Sequence, residues 1–445
     1  MTNSLLPEQR YALELMRSGQ NVFLSGKPGT GKSHVLATFY EMMEMGNQRS
    51  IAFLAPTGMA AMVLPKASTI HSFFEFPIDR VFVNSFDVPG SSYLTKRLNG
   101  VSTIVIDEIS MVRADIFQAM DFSMRKHTGN YFQPFGGRQV IVVGDFNQLP
   151  PVIDDDNVGE YIGYHYHGAY AFCAPVWQEL AFQNVFLKQV IRQNDGAYIE
   201  FLDALRTMKP GLWDMLRDGR FRINSEPYVD NAIALCCRNA DADAINAIEL
   251  SKISGTSQYS YGKRWGDFPD VDLPTDMVLQ LKPAMRIMVV QNQRMSGLAL
   301  LSGRYLNGET GTVLGIDSDL GVVTIRRDRD QRTISVDAAA WDNYRYNLRY
   351  DEERKPILEA EVVGGFRQLP LKPAWAMSIH KAQGQTLDRV HLQLGYGCFA
   401  PGQLYTALTR VRGFDGLTLD RPLKYQDVIV DPLVMDFNRR TFPEI

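Results

Sequence analysis

GKPGTGKS, residues 26–33, has the spacing G-x-x-x-x-G-K-[ST] and stands between an apolar run and an amphipathic stretch. In a turn made of Gly26, Pro28, Gly29, Thr30 and Gly31, backbone N–H groups can surround phosphate oxygens at the start of a helix. Lys32 would then reach the β and γ oxygens, and the Ser33 hydroxyl would hold Mg²⁺. The run TIVIDEIS ends in adjacent carboxylates, Asp107 and Glu108. One, taken as Asp107, can hold the metal while the other polarises the attacking water, because phosphoryl transfer is catalysed mostly by positioning and charge. Asp145 and Gln148 in VGDFNQLPPV lie where a neighbouring loop would face the γ-phosphate, and an amide there can report its presence. Gln9 in LPEQRYAL has a two-faced amide suited to adenine. Arg192 in LKQVIRQND and Arg410 in LYTALTRVRG are candidates to neutralise the transferring phosphoryl group from across an inter-domain cleft, which ATP would close and hydrolysis would open. ATP and Mg²⁺ are thus the expected cofactors.

These groups must be placed by regular elements. Residues 21–25, 50–55, 103–107 and 139–145 are near-continuous apolar runs ending in Gly, Pro, Ser or Asp, the pattern of strands buried on both faces of a parallel sheet. Between them, 32–45 and 109–126 have helical periodicity. A doubly wound α/β domain follows, with its functional loops at the carboxyl ends of the strands. The pattern resumes at 232–237, 373–379 and 389–394, so a second α/β domain is expected. From about 284 to 370 the texture changes to short alternating strands with tight turns, which suggests a small all-β insertion, a barrel. Another interruption, about 73–99, carries Phe73, Phe74, Phe76, Phe82 and Phe86. The YHYHG run at 164–168 lacks further metal ligands and reads as loop.

Composition narrows the class. A chain of 445 residues with 45% hydrophobic and 22% charged residues is an ordinary globular protein rather than a disordered one. No stretch is apolar for long enough to span a membrane, and MTNSLLPEQR lacks the regions of a signal peptide, so a cytoplasmic location is expected. The four cysteines have no CxxC spacing and read as reduced thiols. The net charge of −4 argues weakly against a nucleic-acid partner, although a basic groove can sit on a globally acidic protein.

Taken in order, the motifs resemble the superfamily-one (1B) helicases, and most closely the Pif-type 5′-to-3′ DNA helicase family related to RecD. The matching stretches are EQ at 8–9, GKPGTGKS, LAPTGMAA at 54–61, STIHSFF at 68–74, IDEISMV at 106–112, FGGRQVIVVGDFNQLPPV at 135–152, LKQVIRQ at 187–193, SIHKAQGQTL at 378–387 and LYTALTRVRG at 404–413. The run from ISMVRADIF to FGGRQ resembles that family's signature segment. Ala382 and Thr409 depart from it, where Ser is usual at both positions.

The resemblance implies two RecA-like domains: 1–184, with a small wedge insertion at about 73–99, and 185–283 joined with 371–445, with 284–370 as an SH3-like insertion. It implies an ATP-driven motor that moves 5′ to 3′ on single-stranded DNA and opens duplex or forked DNA, in a compact bacterial or phage form that is monomeric and free of membranes. Replication, repair, recombination and telomere maintenance are the processes linked to such motors. Lys32, Ser33, Asp107, Glu108 and Gln148 would serve ATP from the first domain, with Arg192 and Arg410 completing the site from the second. Thr57, Thr69 and His71 would contact phosphates and sugars, and Phe73 is a candidate base-stacking group, although core packing is expected for at least two of Phe73, Phe74 and Phe76. In SIHKAQGQTL, His380 and Lys381 would contact the strand, while Gly384, Gln385 and Thr386 would carry the response to the γ-phosphate. Thr386 is counted among the DNA contacts as well, and which side chain serves which ligand stays open. A non-unwinding, nucleic-acid-dependent ATPase subunit and an RNA helicase of the same superfamily are the alternatives, since phosphate contacts ignore the sugar.

Overall fold

Apolar runs that alternate with helices bury both faces of a strand, and six of them form the first sheet of the computed structural model. The structure describes residues 5–45, 50–62, 64, 66–77, 88–191, 195–217, 219–226, 232–270, 273–293, 305–317, 321–350 and 352–444. The strands are β1 (Val22–Gly26), β2 (Ile51–Ala55), β3 (Ser68–Thr69), β4 (Thr103–Ile106), β5 (Gln139–Val143) and β6 (Gln183–Leu187). All pair in parallel, in the order β3-β2-β4-β5-β1-β6. The expected strands are present to within two residues at either end. The helix Lys32–Met45 agrees with expectation, whereas 109–126 is divided: Ile109–Met111 is a 3₁₀ turn and the α-helix runs Ala114–Thr128.

A second parallel sheet begins with β7 (Arg222–Ile223) and β8 (Ile233–Cys236). The chain then leaves it for a strand-rich segment: β9 (Gln258–Tyr261), β10 (Lys263–Gly266), β11 (Val278–Leu281), β12 (Arg286–Val289), β13 (Thr310–Asp317), β14 (Val322–Arg327), β15 (Thr333–Val336), β16 (Ala339–Tyr350), β17 (Pro356–Gln368) and β18 (Leu371–Pro373). It returns with β19 (Ala376–Ser378), β20 (Val390–Gln393) and β21 (Leu417–Leu419), giving the order β19-β8-β20-β21-β7. The segment between contains an antiparallel sheet in the order β15-β14-β13-β12-β18. That five-stranded sheet starts at Arg286, close to the expected 284, while the separate strands β9, β10 and β11 precede it from Gln258 onward.

Two long-range contacts bind these parts together. The hairpin β16–β17 folds back on the helix Asp156–Tyr166, where Asn157 donates to the Tyr346 carbonyl at 3.0 Å and His165 Nε2 lies 2.9 Å from the Pro356 carbonyl. The YHYHG run is therefore the end of a helix rather than a loop, with His167 closing it in the left-handed region. The C-terminal helix Pro432–Thr441, although it follows the second sheet in the chain, packs on the first. Phe437 stacks on Phe172 with centroids 4.1 Å apart and meets Phe146 edge-on at 5.3 Å, while Phe442 lies 5.6 Å from Phe23. The buried Phe23 and Phe146 each contribute about 1.5–3 kcal/mol through the area they remove from water, and the half-buried Phe437 less.

Around 73–99, Phe74 and Phe76 are buried in the first core, and Ser92–Asn99 is helical; Phe82 and Phe86 lie outside the described residues.

Candidate active site between the two parallel sheets

Since β4, β5 and β1 are neighbours, their carboxyl ends bring Asp107–Glu108, Asp145–Gln148 and Gly26–Ser33 to one edge of the first sheet. Within the phosphate loop, Lys32 Nζ donates to the carbonyls of Gly26 (2.8 Å) and Lys27 (3.2 Å). Burial lowers the Lys32 pKa, and Asp145, Glu108 and Asp107 oppose that shift. Gly31 has φ +84°, and a Cβ there would meet Gln9 Nε2 at 2.8 Å, so only glycine lets the loop lie this close to the preceding helix. Gln9 is buried, donates to the Thr30 carbonyl at 2.9 Å and accepts from the Leu6 N–H at 3.0 Å. The expected adenine reader thus braces the phosphate loop, with both halves of its amide engaged by the chain.

Glu108 sits in the left-handed region at φ 51°, ψ 46°, a conformation that costs a residue with a side chain about 1–3 kcal/mol. The turn aims its carboxylate toward the second domain. Asp107 has its pKa raised by burial and by the Glu108 charge, although it accepts the Glu108 N–H at 2.9 Å. A crowded carboxylate pair of this kind, Asp107 buried and Glu108 half-buried, is suited to a cation, and Ser33 in the first turn of Lys32–Met45 supplies a hydroxyl; Mg²⁺ bound with a nucleotide needs only one or two protein oxygens. Among the described residues no three His, Cys, Asp or Glu side chains converge as a metal cage.

The second domain closes the site. Arg410, 4% exposed, donates through Nη2 to Gln148 Oε1 at 3.2 Å and through Nε to the Thr406 carbonyl at 2.9 Å, and its Nη1 reaches the Gln385 carbonyl at 3.1 Å. Gln383 Nε2 donates to Glu108 Oε2 and to Ser110 Oγ, both at 3.1 Å. A Cβ on Gly384 would lie 3.6 Å from Glu108 Oε1, so this glycine faces the carboxylate as well. The Leu149 N–H donates to Thr406 Oγ1 at 3.0 Å, and Tyr405 OH donates to Asp145 Oδ2 at 3.0 Å. Arg206 Nε lies 3.6 Å from that same Asp145 oxygen. Arg192 lies outside the described residues; just before it, the Ile191 N–H donates to the Gly29 carbonyl at 2.9 Å.

Gln383, Arg206 and Tyr405 were not among the candidates from sequence. Gln383 stands inside SIHKAQGQTL and could have been read from it. Arg206 looks like any basic residue near a helix end, and only tertiary contact separates it from a surface cation.

Of the expected strand contacts, Thr57 follows β2 and Thr69 ends the adjacent β3, and both cap short helices, Thr57 Oγ1 accepting from Ala60 N–H and Thr69 Oγ1 from Ser72 N–H, each at 3.2 Å. Burial and the nearby Arg113 push His71 down to about 4, so it is neutral at physiological pH. Phe73 is half-buried beneath the Arg97 guanidinium, 5.7 Å from its ring, and is less available to a base than expected. On the second sheet His380 has its pKa lowered by burial, and Lys381 is pushed down to about 8 by burial and by Lys372; Thr386 is exposed.

A glycine-rich loop closed by Lys32 and Ser33, an acidic pair and the Gln148 amide at one sheet edge, met by Arg410 from the turn after the helix Gln403–Leu408 of the second domain, define a two-domain P-loop nucleotide hydrolase with RecA-like cores. A family model described as PIF1-like helicase matches residues 4–217. The ATP-dependent DNA helicase Pif1 of Bdellovibrio bacteriovorus is 31% identical over 98% of the chain and 92% of its own length. The ATP-dependent DNA helicase PIF1 of Rattus norvegicus is 30% identical over 97% of the chain, which spans 63% of that relative. Among solved structures, Bacteroides Pif1 with ADP-AlF3 and single-stranded DNA is 32% identical, with a TM-score of 0.82 over 99% of this chain and 98% of that one. Unliganded Bacteroides Pif1, at 31% identity and over 99% and 97% of the two chains, has a TM-score of 0.61. The chain belongs to the PIF1-like helicase family.

Proposed function

We propose that the protein is an ATP-dependent DNA helicase that translocates 5′ to 3′ on single-stranded DNA and unwinds duplexes, coupling hydrolysis to closure and opening of the two RecA-like domains. The observation that carries this reading is the pair of hydrogen bonds across the cleft, Gln148 to Arg410 and Glu108 to Gln383, which join each half of the candidate hydrolytic site to the other domain. Nucleotide in the cleft would be felt by SIHKAQGQTL, whose Gln383 touches the candidate base and whose His380 and Lys381 are candidate strand contacts. The greater overall similarity to the Bacteroides protein with ADP-AlF3 and single-stranded DNA than to its unliganded form supports the same reading.

In the proposed cycle Lys32 leaves the carbonyls of Gly26 and Lys27 for the β and γ oxygens. Glu108, oriented by Gln383, takes the proton of the attacking water, and Arg410 offsets charge on the transferring group while Gln148 reports its presence. Mg²⁺ held by Ser33 and Asp107 would supply further charge neutralisation. Thr57, Thr69, His71, His380, Lys381 and Thr386 form the proposed strand track. The protein is proposed to act as a monomer; among the described residues no helix is long and apolar enough to cross a membrane.

Strand separation on otherwise identical duplexes with a 5′ or a 3′ single-stranded DNA tail, with and without Mg-ATP, tests the proposal. Unwinding of the 5′-tailed substrate with ATP is expected. Unwinding of the 3′-tailed substrate alone would overturn the polarity, and DNA-stimulated hydrolysis without unwinding would favour a non-unwinding ATPase subunit.

A further inference from the structure

The helix Gly196–Thr207 places Asp203 and Arg206 three residues apart, which puts them on one face. Each reaches a different nucleotide motif of the first domain. Asp203 Oδ1 pairs with Lys27 Nζ at 2.8 Å, with side chains 14% and 24% exposed. Arg206 pairs with the fully buried Asp145 carboxylate at 3.6 Å, and its guanidinium lies 4.8 Å from the centre of the Phe186 ring on β6. The charges run in opposite senses, cation to anion in one pair and anion to cation in the other, so the contact adds no net charge to the cleft.

Lys27 is itself part of the phosphate loop. Its carbonyl accepts from Lys32 Nζ at 3.2 Å and from Thr30 Oγ1 at 2.8 Å, so a load on its side chain is transmitted to atoms that surround the phosphates. Asp203 also pairs with Lys209, in the turn after its own helix, and therefore keeps a cationic partner if Lys27 withdraws. Such a contact can be made and broken without leaving a buried charge alone. Arg206 Nε, by contrast, is buried without a hydrogen-bond partner and is held by Asp145 and the Phe186 ring. A small cavity lined by Lys27, Pro28, Asp203, Arg206 and Tyr405 lies between the pairs.

We propose that this helix is an ionic clasp that sets the nucleotide affinity of the cleft, with Lys27, Asp203 and Arg206 as positioning residues that favour the closed arrangement of the phosphate loop and the GDFNQ loop against the second domain. The inference rests on the ATPase reading above. A contact formed only when the domains are closed adds to nucleotide affinity by the amount it favours closure.

The test is a charge-swap cycle with Lys27→Glu, Asp203→Lys and the double variant. Binding of a fluorescent ATP analogue with Mg²⁺ and the KM and kcat of hydrolysis stimulated by single-stranded DNA are measured for each, with Lys27→Met and Asp203→Asn as neutral replacements for any reversal that does not fold. Each single variant is expected to weaken nucleotide binding about fivefold, the lower end of inter-site coupling, and to raise KM more than it lowers kcat. The double variant is expected to recover most of that loss, and added salt should shrink the difference between wild type and single variants, because a partly exposed pair is screened. Single variants that bind like the wild type, or a double variant whose loss is the product of the two single losses, would overturn the clasp while leaving the ATPase reading intact. A wild type that neither binds nor hydrolyses ATP would overturn both.

Discussion

Replacing Gly402 by alanine tests whether the GDFNQ loop must dock on the second domain for hydrolysis. Gly402 precedes the helix Gln403–Leu408 with φ 69°, and a Cβ there would stand 2.4 Å from the carbonyl oxygens of both Asn147 and Gln148. Ordinary contact begins at 3.4 Å, so the loop and helix must separate by about 1 Å, and the left-handed backbone adds about 1–2 kcal/mol of strain. The hydrogen bond from Arg410 to Gln148 is already 3.2 Å long and would not survive such a shift. A misplacement of about 1 Å in a catalytic constellation costs about a hundredfold in rate. Turnover stimulated by single-stranded DNA, followed by phosphate release, should therefore fall about a hundredfold for Gly402→Ala. Gly163→Ala, where no atom stands within 4 Å of the new methyl, should leave turnover unchanged. A Gly402→Ala protein with a cooperative melt and wild-type turnover would refute the requirement for docking.

Arg410→Ala should reduce turnover about a thousandfold, the scale of an arginine finger. It should also cost about 1–3 kcal/mol of stability, since several buried carbonyls lose their donor. Wild-type turnover would remove Arg410 from the site. Gln383→Leu should slow hydrolysis about tenfold to a hundredfold by releasing Glu108 from its strained orientation, with ATP binding retained; an unchanged rate in single-turnover hydrolysis would show that Gln383 does not orient the base. For Lys381, pushed down to about 8, the free protein loses the charge above that pH while a neighbouring phosphate would raise the pKa again, so DNA binding takes up a proton there. Affinity for single-stranded DNA by fluorescence anisotropy should be level up to about pH 7.5 and weaken above pH 8 by up to about tenfold per unit; Lys381→Arg should flatten the profile, and an identical slope in that variant would take Lys381 off the track.

The residues of the candidate site were legible in residue type and spacing. A buried apolar strand can end only in residues that tolerate a turn, and GKPGTGKS, the Asp107–Glu108 pair and GDFNQ follow such strands directly, so their type and spacing disclosed the first sheet and the candidate nucleotide motifs, while the apolar runs at 232–237, 373–379 and 389–394 disclosed the second. The texture change after 284 disclosed a strand-rich segment, but the long hairpin β16–β17 and its return to Asp156–Tyr166 were not legible, because its strands are half-exposed and its partner lies far away in the chain. The C-terminal helix shows the same limit: its apolar face announces burial without naming the sheet that receives it, and the aromatic cluster of Phe23, Phe146, Phe172 and Trp177 decided for the first. Tertiary structure alone joined Gln383 to Glu108, Arg206 to Asp145 and Lys27 to Asp203. Such pairs are selected by the closure of long loops and the packing of two cores, which short-range spacing does not encode.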